Sequence, residues 1–416
     1  MVKLFKNISS LVQISNSKEL YKSGSKMNNV CEVQNGAILF DEKILWVGQT
    51  SEIDNYFKDN PIKIDEIEDL QGKTLMPGFT DPHTHIVFGG NRSNEFAMRL
   101  AGATYQEIAA TGGGIISTVN STRKSSIDEL FGNASKLINN SIHFGTIALE
   151  IKSGYGLDTE NEIKMLQVIQ KLKEKYPINI SSTFLGAHDF PPEYQNNRDD
   201  YVDLICNEML PKIAEANLAE YCDAFVDKGY YTIAQAKRIF QKAVSLGLKI
   251  RLHADELADV DATILAKEFN AISADHLLFV NEKNMFAMKQ SGVVAVLLPS
   301  TSFFIRMPYA NARKMLEMGL IVALATDCNP GSSFTENMQM VLWLAAINLK
   351  MTAEEVLNAA TLNSAYSLRL SNKIGSIEVG KDASFIVLDV PSYKDLFYHY
   401  GINHVENVYL NGVAFV

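Results

Sequence analysis

The chain has little of several things that would mark whole classes of protein. Its 416 residues include four cysteines, Cys31, Cys206, Cys222 and Cys328, with no Cys-x-x-Cys pair among them. Such scatter argues against a disulfide framework or a structural zinc site and fits reduced, buried thiols. No apolar run approaches the ~18 residues that a membrane-spanning helix needs. The opening Met1-Val2-Lys3-Leu4-Phe5-Lys6 reads as a short strand and lacks the apolar core of a signal peptide. The expectation is a cytoplasmic protein with no membrane partner. Positive charge is also in deficit, since 38 Lys and Arg stand against 48 Asp and Glu, for a formal net charge of -10 and no basic run. Without a basic patch to release counterions, nucleic acid is not an expected partner. An anionic small molecule is still allowed, because one well-placed Arg in a dry cleft can bind a carboxylate against the overall charge.

What is present is a composition of 47% hydrophobic and 21% charged residues, which is that of a globular chain with a large core. The first seventy-odd residues hold short β-like runs such as Ala37-Ile38-Leu39-Phe40 and Lys43-Ile44-Leu45-Trp46-Val47-Gly48, set off by Asn, Asp and Gly turns. The C-terminal end repeats the pattern in Ser384-Phe385-Ile386-Val387-Leu388 and Val405-Glu406-Asn407-Val408-Tyr409-Leu410. Residues 1–75 and 375–416 are therefore expected to form one small β-sandwich domain into which residues 76–374 are inserted. Within the insert, strands alternate with amphipathic helices, the pattern of parallel βα units. Candidate strands fall at 76–85, 146–153, 178–188, 219–226, 249–255, 271–276, 293–299 and 322–327, the number that closes a TIM (β/α)8 barrel. Helices are expected over Thr159 to Tyr176, Tyr231 to Leu246 and Asn281 to Gln290, with two more between Thr335 and Leu370.

In such a barrel chemistry gathers at the C-terminal strand ends. Strand one ends in His83 and His85, strand two in Lys152 and Tyr155, and strand three in His188 and Asp189. Strand five ends in His253, Asp255 and Glu256, strand six in Asp275 and His276, and strand eight in Asp327. One histidine there is more often a hydrogen-bonded core residue than a ligand. Most of the chain's histidines at one level of one barrel read differently. Alternate residues of a strand share a face, so His83 and His85 point together. Three imidazoles and a carboxylate form a common Zn or Fe set, and the expected ligands are His83, His85, His253 and Asp327.

These residues resemble the amidohydrolase superfamily, with His-x-His on the first strand, histidines on strands five and six, and Asp on strand eight. Within it the chain is similar to the imidazolonepropionase family. The matching motifs are Asp81-Pro82-His83-Thr84-His85 through Gly89-Gly90-Asn91-Arg92, Thr111-Gly112-Gly113-Gly114-Ile115, Glu150-Ile151-Lys152-Ser153-Gly154-Tyr155-Gly156, Phe184-Leu185-Gly186-Ala187-His188, Leu252-His253-Ala254-Asp255-Glu256 and Ala325-Thr326-Asp327-Cys328-Asn329-Pro330-Gly331. The resemblance implies hydrolysis of the cyclic amide of 4-imidazolone-5-propanoate, an anionic heterocycle, to N-formimino-L-glutamate, with one divalent or trivalent ion, Zn or Fe, in a homodimer. It implies Arg92 as partner of the propanoate, with Tyr105 and Tyr155 as hydroxyl donors. It places His188 and Glu256 on the heterocycle and Asn329, Gly331 and Ser332 around the product. His276 falls beside the attacking water, and Asp327, His276 and Glu256 all stand as candidate bases. Lys228, just beyond strand four, is the residue that a carboxylated-lysine bridge between two ions would use. Cys328 reads as a buried thiol. A nucleobase deaminase would use the same ligands but has no evident use for Arg92, and a non-catalytic barrel would be expected to have lost ligands.

Overall fold

The runs read as barrel strands are rich in aliphatic residues and buried on both faces, as in Val294–Leu297 and Ile321–Leu324, and in Thr146–Lys152 even Glu150 and Lys152 are buried. The computed structural model describes residues 1–102 and 113–415, and in it Phe79–Asp81, Thr146–Lys152, Asn179–Ala187, Tyr221–Val226, His253–Ala254, Ser273–His276, Val294–Leu297 and Ile321–Leu324 pair side by side in chain order, all parallel. First and last strands meet just beyond their ends. Thr84 bridges Cys328, the His85 N–H donates to the Cys328 carbonyl at 2.9 Å, and the Asp327 N–H donates to the His83 carbonyl at 3.0 Å. The barrel therefore closes at the residues expected to bind metal.

Two expected strands are not continuous. Residues 76–85 do not form one strand. Thr74–Pro77 pairs antiparallel with Phe385–Leu388 in a second sheet, and the barrel strand is the short Phe79–Asp81, so His83 and His85 lie past its end. Between them Gly78 has no room for a side chain, since a Cβ there would stand 2.3 Å from Ile147 Cγ2. The 249–255 run divides into Lys249–Ile250 and His253–Ala254, both against Tyr221–Val226.

Helices begin where the sequence supplies caps. Asp158, Thr232 and Asn281 each accept a hydrogen bond from the backbone N–H three residues on, opening Thr159–Lys175, Ile233–Ser245 and Glu282–Ser291. After the last strand Met338–Asn348 and Ala353–Asn358 follow, the latter continuing through 359–363 into Ser364–Ser367.

The chain ends build the second sheet, in which Lys3–Val12 pairs with Glu32–Phe40 on one side and with Glu66–Asp69 and Thr74–Pro77 on the other. Phe40 and Phe385 sit three strands apart along this sheet, a span of about 14 Å if it were flat. Their ring centroids are 5.0 Å apart and edge to face, so the sheet must fold over on a core of Phe5, Phe40, Phe385 and Tyr409. This core rivets the N-terminal strands to the C-terminal ones.

The Gly78 contact makes a stability prediction. Gly78→Ala should destabilise by about 1–3 kcal/mol through overpacking at the sheet switch. Gly132→Ala, in the helix Ile127–His143 with open space around it, should be neutral or stabilising by up to about 1 kcal/mol. Urea midpoints of the two variants measure the contrast.

Candidate metal centre and active site

Four side chains converge at the mouth of the barrel, and their neighbours decide which atoms they present. His83 Nδ1 lies 2.7 Å from Asp275 Oδ2, and His253 Nδ1 lies 3.0 Å from Asp223 Oδ2. An ionised carboxylate can only accept, so both rings carry their hydrogen on Nδ1 and turn a bare Nε2 the other way. His83 Nε2 is 3.2 Å from His85 Nε2, and each of these nitrogens is 3.5 Å from Asp327 Oδ1. His253 Nε2 is buried without a partner among the described residues. His85 Nδ1 has no partner among the described residues, so either His85 Nε2–H donates to His83 Nε2 or, with the hydrogen on Nδ1, two lone pairs face one another and need a cation between them. Two donors of one tetrahedral ion with bonds of about 2.0–2.1 Å stand about 3.3–3.4 Å apart. The observed spacing fits. His83, His85 and His253 offer nitrogens close enough to share an ion, as do the donor atoms of His83, His276 and Asp327.

The electrostatics agree with that reading. Burial, reinforced by neighbouring cationic groups, holds His83 and His85 well below the ordinary imidazole range and keeps them neutral. Burial opposes charge on His253 as well, but the Asp223 carboxylate outweighs it and makes this imidazole more basic, hence a better donor. Asp327 is pushed up to about 6 by burial, against a 2.6 Å hydrogen bond that its Oδ2 accepts from the Thr301 hydroxyl.

A cavity of about 630 Å³ opens above the cluster, and most of the expected substrate residues line it. His188 stacks on His85 with centroids 5.0 Å apart and donates Nδ1–H to the Gly154 carbonyl at 3.0 Å, which leaves its Nε2 for a ligand. Tyr155 is buried beside both rings. Glu256, pushed up to about 8 by burial and by the Asp327 carboxylate, lies 3.5 Å from His276 Nδ1. Arg92 lines the outer wall, but Nε and Nη2 both donate to Glu95 Oε2, at 2.9 and 2.8 Å. A Cβ on residue 331 would stand 2.3 Å from Arg92 Nη1, so a side chain there would have to displace the guanidinium. Asn329 lines the cavity and also holds the loop that follows the last strand. Its Oδ1 accepts the Gly331 and Ser332 N–H groups and its Nδ2 donates to the Asp327 carbonyl, so the side chain shapes the loop. Lys228 is exposed beyond the fourth strand, outside this cluster, and Cys328 is fully buried with its thiol pushed up by that burial. Tyr105, Thr111 and Gly112 lie outside the described residues.

Residues with no role in the sequence reading also appear here. Asp223 and Asp275 orient two histidines, Thr301 holds Asp327, and Glu95 and Arg99 join Arg92 along the cavity wall. Arg99 Nη1 is buried without a partner among the described residues. A signal existed for this last pair. Arg92, Glu95 and Arg99 are spaced by three and four, one face of the helix that runs over Ser93–Leu100.

Comparison with known proteins gives the same picture. Residues 74–414 match the model of the amidohydrolase family. The chain is 45% identical over 403 residues to the imidazolonepropionase of Thermoanaerobacter pseudethanolicus, covering 95% of each. It is 44% identical over 411 residues to that of Alkaliphilus oremlandii, covering 98% of this chain and 96% of the relative. Among solved structures, an adenosine deaminase from Xanthomonas campestris with bound zinc superposes with TM-score 0.72 at 18% identity, over 99% of this chain and 92% of that one. The atrazine chlorohydrolase of Arthrobacter aurescens with zinc superposes with TM-score 0.73 at 16% identity, over 100% and 95%. At those identities the likeness is one of fold.

The donor set predicts how metal content responds to mutation. His253→Ala should leave the purified protein free of divalent metal by elemental analysis while its circular dichroism stays that of the parent. Thr301→Val, which removes only the support of Asp327, should weaken metal binding by about 10- to 100-fold.

Proposed function

The chain belongs to the amidohydrolase family and, within it, to the imidazolonepropionases, and from that premise we propose how its own residues open the cyclic amide of 4-imidazolone-5-propanoate to N-formimino-L-glutamate in histidine degradation. The observation that carries the reading is a single cavity lined both by His85, His253 and Asp327 and by Arg92 and Arg99. The first group suits hydrolysis and the second suits the substrate's propanoate.

His83, His85, His253 and Asp327 are the proposed ligands of one Zn or Fe ion per chain. When bound, that ion supplies Lewis acidity, lowering the pKa of water from about 15.7 toward about 7. The remaining work falls to the protein. Arg92 takes the propanoate, supported by Glu95, while His188 through Nε2 and the Tyr155 hydroxyl orient the ring. Water oxygen joins the ring carbonyl carbon, the carbon–nitrogen bond breaks, and one proton must reach the departing nitrogen. Glu256, pushed up to about 8, holds a proton at neutral pH and is suited to deliver it. Asp327, pushed up to about 6, is suited to accept one from the water, and His276 lies close enough to Glu256 to relay or to polarise the carbonyl. Asn329, Gly331 and Ser332 frame the space for the new carboxylate, and Tyr105 is proposed as a further hydroxyl donor. The reading also takes the protein as a cytoplasmic homodimer. No described helix is long and apolar enough to cross a membrane, and a monomer mass in light scattering would refute the dimer.

Purified, metal-replete protein should consume 4-imidazolone-5-propanoate, followed as loss of its ultraviolet absorbance, and a chelator should stop the reaction. No loss of substrate would overturn the reading. Glu256→Gln should lower kcat by about 10²- to 10⁴-fold. Arg92→Met should act mainly on KM, raising it roughly 10- to 100-fold, the value of one charged hydrogen-bonding partner.

A further inference from the structure

Below the histidines the barrel interior carries charge where such barrels usually carry branched aliphatics. Lys152, Asp223 and Asp275 stand on the second, fourth and sixth strands, the alternate strands that fill one interior layer. All three are fully buried. Lys152 Nζ lies 2.9 Å from Asp223 Oδ2 and 3.7 Å from Asp275 Oδ2. These are the same two oxygens that receive His253 Nδ1 and His83 Nδ1. A third contact, 2.8 Å to Glu150 Oε1, anchors the ammonium from its own strand, and Glu150 in turn is held by the Thr183 hydroxyl.

Stability does not explain this layer. Buried ion pairs are often no better than well-packed apolar residues, because both charges must be desolvated. Three carboxylates against Lys152 and Arg251 also leave one negative charge uncompensated in the layer. What the arrangement does achieve is geometric. Two carboxyl oxygens that face Nδ1 of His253 and of His83 are tied to one cation, which fixes the tilt of each ring.

We propose that Lys152 is a positioning residue for the metal centre, a single ammonium that holds the Asp223 and Asp275 carboxylates in place so that His253 and His83 both present Nε2 to the same ion. The inference rests on the reading of the histidine cluster as a metal site. It assigns Lys152 a role apart from carboxylation or substrate contact, since the side chain lies under the ligands and is closed off from the cavity. Burial alone would strip the ammonium of its proton, but Asp223, Glu150 and Asp275 together outweigh burial and keep it charged.

The experiment measures the affinity of the full-length protein for Co²⁺ by competition with a chromogenic chelator, together with the visible spectrum of the cobalt form, which reports ligand geometry. Lys152→Met should bind cobalt about 10- to 100-fold more weakly than the parent, with altered visible bands, and Lys152→Arg should recover part of the loss. Because the lysine acts through the aspartates, its removal should matter much less in an Asp223→Asn background. A shared cation makes a second demand that does not need Lys152→Met to fold. The losses from the isosteric Asp223→Asn and Asp275→Asn should be non-multiplicative when combined. Parent-like affinity and spectrum in Lys152→Met, or strictly multiplicative losses in the double aspartate variant, would overturn the proposal. A parent protein that binds no cobalt would instead overturn the metal reading itself.

Discussion

Everything at the mouth of this barrel depends on carboxylates that cannot reach water. A buried carboxylate without a partner would take up a proton, and a protonated one no longer compels a histidine to keep its hydrogen on Nδ1. The pairs His83 with Asp275 and His253 with Asp223 turn that constraint into direction, because each ring is left with only one nitrogen to offer. The polar interior is thus coupled to the site above it. Loosening the ion network below would be felt as a change in which atoms face the cavity, even where no ligand had been touched.

The same economy governs how the barrel closes. The strand that carries His83 and His85 is short, and its continuation meets the continuation of the last strand through backbone hydrogen bonds at His85 and Asp327. Closure and assembly of the donor set are therefore one event. The chain reaches this point from the other sheet, turning at Gly78, so the packing of the terminal strands fixes where the first histidine pair begins. Asp327 itself has φ of +53° and His276 +74°, left-handed backbone that a neutral loop would give to glycine. Both residues hold these conformations where their side chains are wanted.

How much of this was legible in the sequence follows from the reach of each signal. Strand ends are local, and an apolar run stopping at His253 or Asp327 marks a position at the barrel mouth without knowledge of the rest. The helices expected over 159–176, 231–246 and 281–290 were legible from local apolar spacing, while their caps at Asp158, Thr232 and Asn281 emerge only in the structure. The sheet switch at Gly78 was not, because Thr74 through Asp81 is equally apolar whichever sheet receives each half. Nor were the roles of Asp223, Asp275 and Lys152, since an inward-facing acid in a strand looks like any other until the strand opposite is known. Asn329 shows how a motif can carry more than its residues announce. Its motif marks an important loop, and only the hydrogen bonds reveal that the amide holds the loop's shape.

The arginines that line the cavity carry a further consequence for charge. Arg92 is held to Glu95 by two donors, so that pair by itself is close to neutral, and it is Arg99 that leaves the wall with a net positive charge. Burial and the nearby Arg92 both weigh against the ionised form of Arg99, a penalty that an incoming carboxylate would relieve. A neutral heterocycle offers no such relief. On the proposed reading, selection for an anion rests on these two arginines, and the histidine cluster could remain common to many chemistries while Arg92 and Arg99 select among them.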